Sequence, residues 1–202
     1  MMTAAAPPQA PQAPQPPQAR GLPELCTLAE IGEEARAFLG AGGASPRTFV
    51  VTLIEHGLYA DAVRVLAHAL PRREAVWWAW VCARKASGAE PTPQVKAALD
   101  ATERWIVQPT DKYRREAHRL GEEADFGTAA GCAALAAFMS AGSLGPPDAP
   151  HVPPGELMTA KAVAGSVTLA AVATEPERAE EKFADYIKVG LEVAERTKLW
   201  DM

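Results

Sequence analysis

The side chains able to do chemistry are few and scattered along this 202-residue chain. Its four histidines, His56, His68, His118 and His151, form no HExxH pattern and no i,i+4 pair, the spacings that put two imidazoles on one metal. The three cysteines, Cys26, Cys82 and Cys132, lie far apart and include no CxxC, so neither a zinc site nor a disulfide framework is indicated. Cys82 sits in an apolar run and Cys132 in an alanine-rich one, where a thiol behaves as a small hydrophobe. The glycine-rich segments Gly40 to Gly43 and Gly142 to Gly145 follow no strand and lack the Lys and Ser or Thr of a phosphate loop. Glu122, Glu123 and Asp125 are neighbouring surface acids, not an opposed catalytic pair. No catalytic, cofactor-binding or metal-ligating set is assigned. The one polar cluster worth naming is Arg72-Arg73-Glu74 with His68 just upstream. It reads as an arginine pair offered to an acidic partner, or as the lining of an enzyme site of unrecognised type.

The elements that must position these groups are helical. Thr27 and Glu30 make a capping-box pattern, predicting a helix with Leu28, Ile31, Ala35, Phe38 and Leu39 on one face. Ser45-Pro46 and Thr92-Pro93 each place a capping hydroxyl before a proline suited to the first helical position. Helices are expected from Pro46 to Gly57, Leu58 to Leu70, Pro71 to Ser87 and Pro93 to Val107. In the Pro71 helix, Val76 to Cys82 is apolar without a break. At about 100° per residue such a run covers the whole circumference, so this helix, 71–87, is read as central, with Trp77, Trp78 and Trp80 as core anchors. Thr110 to Asp125 is charged almost throughout and reads as a solvated helix, with Tyr113, Ala117 and Leu120 as its buried edge. Asp111 with Arg115 and Arg119 with Glu123 are i,i+4 neighbours on it. Ala-rich helices follow at 128–141 and 159–173, and an amphipathic one from Pro176 to near Lys198. The fold class is all-α: an antiparallel helical bundle or α-hairpin array of about eight to nine helices. No 34-residue period persists, so true repeats are not assigned.

Two segments stand apart. Residues 1–21 alternate six prolines with Gln and Ala and have too little apolar bulk to offset ordering; they read as a disordered tail ahead of one helical domain, 22–202. Residues 142–157 contain five prolines and make a connection long for a compact domain. Pro146, Pro147, Asp148, His151, Pro153 and Pro154 in that loop are candidate protein-binding residues, together with Arg72 and Arg73. The loop could instead pack on the chain's own tryptophans.

Charge and composition exclude several classes. A net charge of -5 without clustered Lys and Arg argues against nucleic acid and against an anionic membrane surface. No secretory leader is evident, and the most apolar stretch, Ala160 to Ala173, is too short to span a bilayer. A cytoplasmic location is expected.

The segment from Leu66 to Ala79, containing LPRREAVWWA, resembles the signature of an uncharacterised bacterial helical family, a domain of unknown function. The strings Gly-Ser-Leu, Pro-Pro-Asp, Val-Pro-Pro and Thr-Ala-Lys-Ala-Val between Phe138 and Ala164 resemble its second block. The resemblance covers about residues 45–196. It implies no activity; it implies an accessory role near the gene neighbourhoods of contractile, type VI-like secretion systems. The expectation is thus a non-enzymatic cytosolic adaptor or scaffold for other proteins. The alternatives are an enzyme with a site near His68, Arg72, Arg73 and Glu74, and a structural subunit of a homo-oligomer.

Overall fold

The computed structural model describes residues 20–40, 44–146 and 148–200. Nearly all of the proline-rich tail and Pro147 therefore lie outside the described residues. Among those described there are ten α-helices, a single 3-10 turn and no strand. The helices are α1 (Leu22–Leu28), α2 (Glu33–Arg36), α3 (Pro46–Glu55), α4 (Tyr59–Ala69), α5 (Arg72–Ala86), α6 (Pro93–Val107), α7 (Asp111–Glu123), α8 (Ala129–Phe138), α9 (Met158–Val172) and α10 (Ala179–Arg196). The protein is all-α, as its periodicity requires. None of these helices is long and apolar enough to cross a membrane.

The start signals act as their chemistry dictates. Ser45, Thr92, Thr110 and Thr128 each accept a hydrogen bond from the backbone N–H three residues on, satisfying a donor that the first helical turn leaves free. The capping box at Thr27 does not form. Pro23 has already started α1, so Thr27 lies in its last turn and its hydroxyl donates back to the Pro23 carbonyl. The predicted single helix is broken at Glu30, whose φ is +51°. Arg64 donates to the Glu30 carbonyl, and the Asp61 carboxylate accepts from the Gly32 N–H at 3.0 Å, which starts α2.

Successive helices pack on one another for α3–α4, α5–α6, α6–α7, α7–α8 and α9–α10, as short connections favour, and α8 packs on α9 across the long proline-rich connection. The join of α4 to α5 is different. Leu70 and Pro71 are both extended (ψ 144°), so α5 leaves α4 and packs on α6, α8, α9 and α10. The centre of the protein is shared by α5 and α9, since α9 touches α4, α5, α8 and α10. Small residues make this possible: α8 and α9 bury mainly alanines, with Phe138, Val163 and Val167 as the larger groups. The unbroken apolar run of α5 is not buried all round. Trp78 is fully buried and Trp80 nearly so, but Trp77 and Val81 are only partly covered. Both buried indoles of α5 have a partner: Trp78 Nε1 donates to the Tyr186 carbonyl at 2.7 Å and Trp80 Nε1 to that of Leu99 at 3.0 Å.

Candidate functional site

The first turn of α5 separates two clefts. On one side is a cavity of about 610 Å³, lined by His68, Pro71, Arg72 and Ala75, by Glu156, Leu157, Thr159 and Ala160 around the start of α9, and by Arg20, Glu24 and Trp200. On the other is a shallower groove of about 260 Å³, lined by Arg73, Glu74, Trp77, Ile106, Val193 and Arg196. The four residues of the sequence-predicted polar cluster are thus divided between them. His68 and Arg72 face the cavity, whereas Arg73 and Glu74 face the groove.

The two arginines are not presented as a pair. Arg72 Nη1 donates to the Ser140 carbonyl at 2.8 Å, just past the end of α8. Arg73 Nε donates to the Ile106 carbonyl at 2.7 Å and Nη2 to that of Val107 at 3.3 Å, in the last turn of α6. Each guanidinium sits at the negative end of a helix and satisfies carbonyls that the helix leaves unpaired. Part of the binding capacity read from the sequence is therefore used within the fold.

His68 is buried in the last turn of α4. Its Nδ1 lies 2.8 Å from the Arg64 carbonyl, which only accepts, so Nδ1 carries the proton and Nε2 is left as an acceptor. Nε2 has no hydrogen-bond partner. Burial holds the His68 pKa below its ordinary 6.5, with Lys161 and Arg20 pushing the same way against the Arg64 bond and Glu30. Below pH 6.5 the unfolded chain therefore takes up a proton that the folded one resists, so stability falls as the pH is lowered. The urea midpoint is expected to drop between about pH 7.5 and about pH 5.5 more in the wild type than in His68→Gln. Equal drops in the two proteins would contradict this reading.

The other reactive groups are inert by environment. All three cysteines are buried. Burial pushes the Cys26 and Cys132 thiols up to about 11 and Cys82 higher still, so none is a thiolate near neutral pH. His56 stacks on Phe38, and His118 packs against Phe138. Among the described residues, no three His, Cys, Asp or Glu side chains come together as a metal cluster.

The proline-rich loop is fastened by arginines. Arg114 is buried in α7, contrary to the reading of that helix as solvated apart from Tyr113, Ala117 and Leu120. Its guanidinium meets Asp111 at 2.6 Å and donates to the Phe138 carbonyl at 2.7 Å and the Ser143 carbonyl at 2.8 Å. Arg115 adds bonds to Asp111, Ser143 and Gly145. Those two arginines, Arg115 first, hold the Asp111 carboxyl below its ordinary range. Gly142 has φ +71°, and a Cβ there would lie 2.8 Å from Arg114 Nη2, so the turn over the guanidinium requires glycine. Beyond this clasp Pro146, Asp148, His151 and Pro153 are exposed, and Pro154 is half-buried.

The sequence reading missed the groove's apolar floor. Trp77, Ile106 and Val193 form it, and Val107, next to Ile106 in the chain, has 72% of its surface exposed. One signal was available. Val107 is apolar yet falls off the buried face of α6, which is Ala98, Leu99, Ala101, Thr102, Trp105 and Ile106. The cavity's remote charges, Arg20, Glu24 and Glu156, gave no comparable signal.

An all-α helical array with clefts on either side of one helix turn is the class of protein this geometry defines. The chain belongs to a family of unknown function, DUF6931, whose model matches residues 49–194. The match runs from α3 into α10 and so includes the first turn of α5. No curated protein and no solved structure matches the chain.

Proposed function

We propose that this protein is a non-enzymatic adaptor that binds another protein through the groove between α5, α6 and α10. The observation that carries this reading is the half-buried Trp77 on an apolar floor, with Val107, which follows Ile106 of that floor in the chain, exposed. A partly covered indole ringed by polar groups, here Arg73, Glu74 and Arg196, is the usual anchor point of a protein interface. The partner supplies an aliphatic or aromatic side chain to that floor. The exposed loop residues Pro146, Asp148, His151 and Pro153 form a second contact surface. The enzyme alternative has weaker support, because the carboxylates that line the cavity, Glu24 and Glu156, are both ion-paired with Arg20. We further place the adaptor in the cytoplasm as an accessory of a type VI-like secretion apparatus, on the strength of the family resemblance alone.

The test is affinity capture from host cells with the full chain and with Val107→Asp. An exposed position at a helix end tolerates this change to within about 1 kcal/mol. A partner held by the wild type is expected to be lost with the variant. Equal capture by both would remove the groove from the account.

A further inference from the structure

We propose that the cavity beside His68 and Arg72 is a binding site for a small organic oxyanion, carboxylate or phosphate, that also carries a hydroxyl or N–H donor. The adaptor reading does not use this cavity, and the site stands or falls independently of it.

The cavity is rich in unspent donors. Two helices begin on it, α5 at Arg72 and α9 at Met158, both of 15 residues and neither with a side-chain cap. The N–H of Met158 is taken by the Gly155 carbonyl, but the first turns still offer the backbone N–H groups of Arg72 to Glu74 and of Thr159 and Ala160 and the positive end of the helix dipole, the combination that holds oxyanions. Between them stands Arg72. Its guanidinium has five N–H donors, and among the described residues its hydrogen bonds go only to the Ser140 and Glu156 carbonyls. Among the described residues no carboxylate pairs with it. The two acids on the wall, Glu24 and Glu156, are taken by Arg20, and Lys161 on the next turn of α9 is paired with Glu30 at 3.0 Å.

A second, independent feature points to a ligand. His68 is only 7% exposed and is among the residues that line the cavity, and Nε2 is the one buried side-chain nitrogen or oxygen among the described residues without a partner. Leaving a buried acceptor unpaired costs about 1–3 kcal/mol, so such an atom marks a place where a donor is missing. Many donors and one acceptor are the complement of an oxyanion with an attached hydroxyl or N–H. The volume suits a small molecule, and Leu25, Leu70 and Trp200 give an apolar wall for its body.

Amide NMR of the full chain tests the site, with inorganic phosphate, glycolate and acetate as probes at constant ionic strength. Phosphate and glycolate carry both the oxyanion and the hydroxyl; acetate lacks the donor. Saturable shifts are expected at the amides of Arg72 to Glu74 and Thr159 to Ala160. Arg72→Gln is expected to weaken binding by about tenfold or more, through loss of the charge-assisted bonds. His68→Phe keeps a ring of similar shape but no acceptor. It should weaken glycolate and leave acetate unchanged. Saturation by phosphate alone or by glycolate alone would support the site and identify its anion. Shifts that never saturate, that spread over surface cations, or that persist unchanged in Arg72→Gln with a native thermal midpoint would overturn the proposal.

Discussion

Trp78→Ala is expected to destabilise the protein by about 3–5 kcal/mol, a large part of the roughly 5–15 kcal/mol that holds a typical domain together. Trp78 is fully buried where α4, α5 and α10 meet. Gly190 of α10 opens the room for it. A Cβ there would come 2.8 Å from the Trp78 ring and nearer still to a methyl of Leu66. That close approach lets the indole N–H reach the Tyr186 carbonyl one turn earlier. Alanine leaves a ring-sized void between three helices and removes the hydrogen bond, and the packed backbones cannot collapse to fill it. Trp77→Ala, one residue away on the partly covered face, is expected to cost far less. Urea denaturation followed by circular dichroism measures both. Equal losses would mean that the two indoles share one environment, contrary to the packing described.

Arg114→Met is the second large effect, at about 2–4 kcal/mol. The substitution keeps an unbranched stem of similar reach but removes every donor. The Phe138 carbonyl then loses its bond, and the loop loses its tie at Ser143. The guanidinium also lies over the Phe138 ring at 4.6 Å, and that contact goes as well. Asp111 is exposed and keeps its bonds with Arg115, so the carboxylate itself adds little to the cost. Limited proteolysis distinguishes this from a general loss of packing. Cleavage is expected within 142–157 well before the rest of the chain is cut. Arg114→Lys should rescue only partly, because an ammonium cannot fork to several acceptors at once.

These two residues show where the fold was legible in the sequence. Trp78 lies in a run of seven apolar residues, and its burial follows from that run and from helical geometry. The starts at Ser45 and Thr92 were equally plain, because a capping hydroxyl followed by proline is a local signal with a local cause. Arg114 was not legible. It sits among Asp111, Arg115 and Glu116, and nothing local separates the one guanidinium that turns inward from those that stay in water. Its burial is decided by the α8 terminus and by Gly142, 28 residues away in the chain. Thr27 failed for the opposite reason: two local signals competed, and Pro23 started the helix first.

The candidate sites were half legible. The sequence drew attention to His68, Arg72, Arg73 and Glu74 together, and both clefts do touch this cluster. It could not show that adjacent residues at the start of a helix diverge. Arg72 and Arg73 point about 100° apart by helical geometry, and the α4–α5 join sets which neighbours each one meets. Composition alone points to the proline-rich segments as the working surface. The structure returns attention to the first turn of α5, while leaving the loop's outer edge exposed beyond its arginine clasp.

Affinity capture from the native host, with the full chain, with Val107→Asp and with residues 146–154 replaced by a Gly/Ser linker, tests the adaptor reading most directly. The predicted result is a stoichiometric protein partner on the wild type, depleted by Val107→Asp and at most weakened by the loop replacement. Recovery of only further copies of this chain would favour a structural subunit. The same partner held equally by Val107→Asp and the wild type would contradict the groove as the seat of binding.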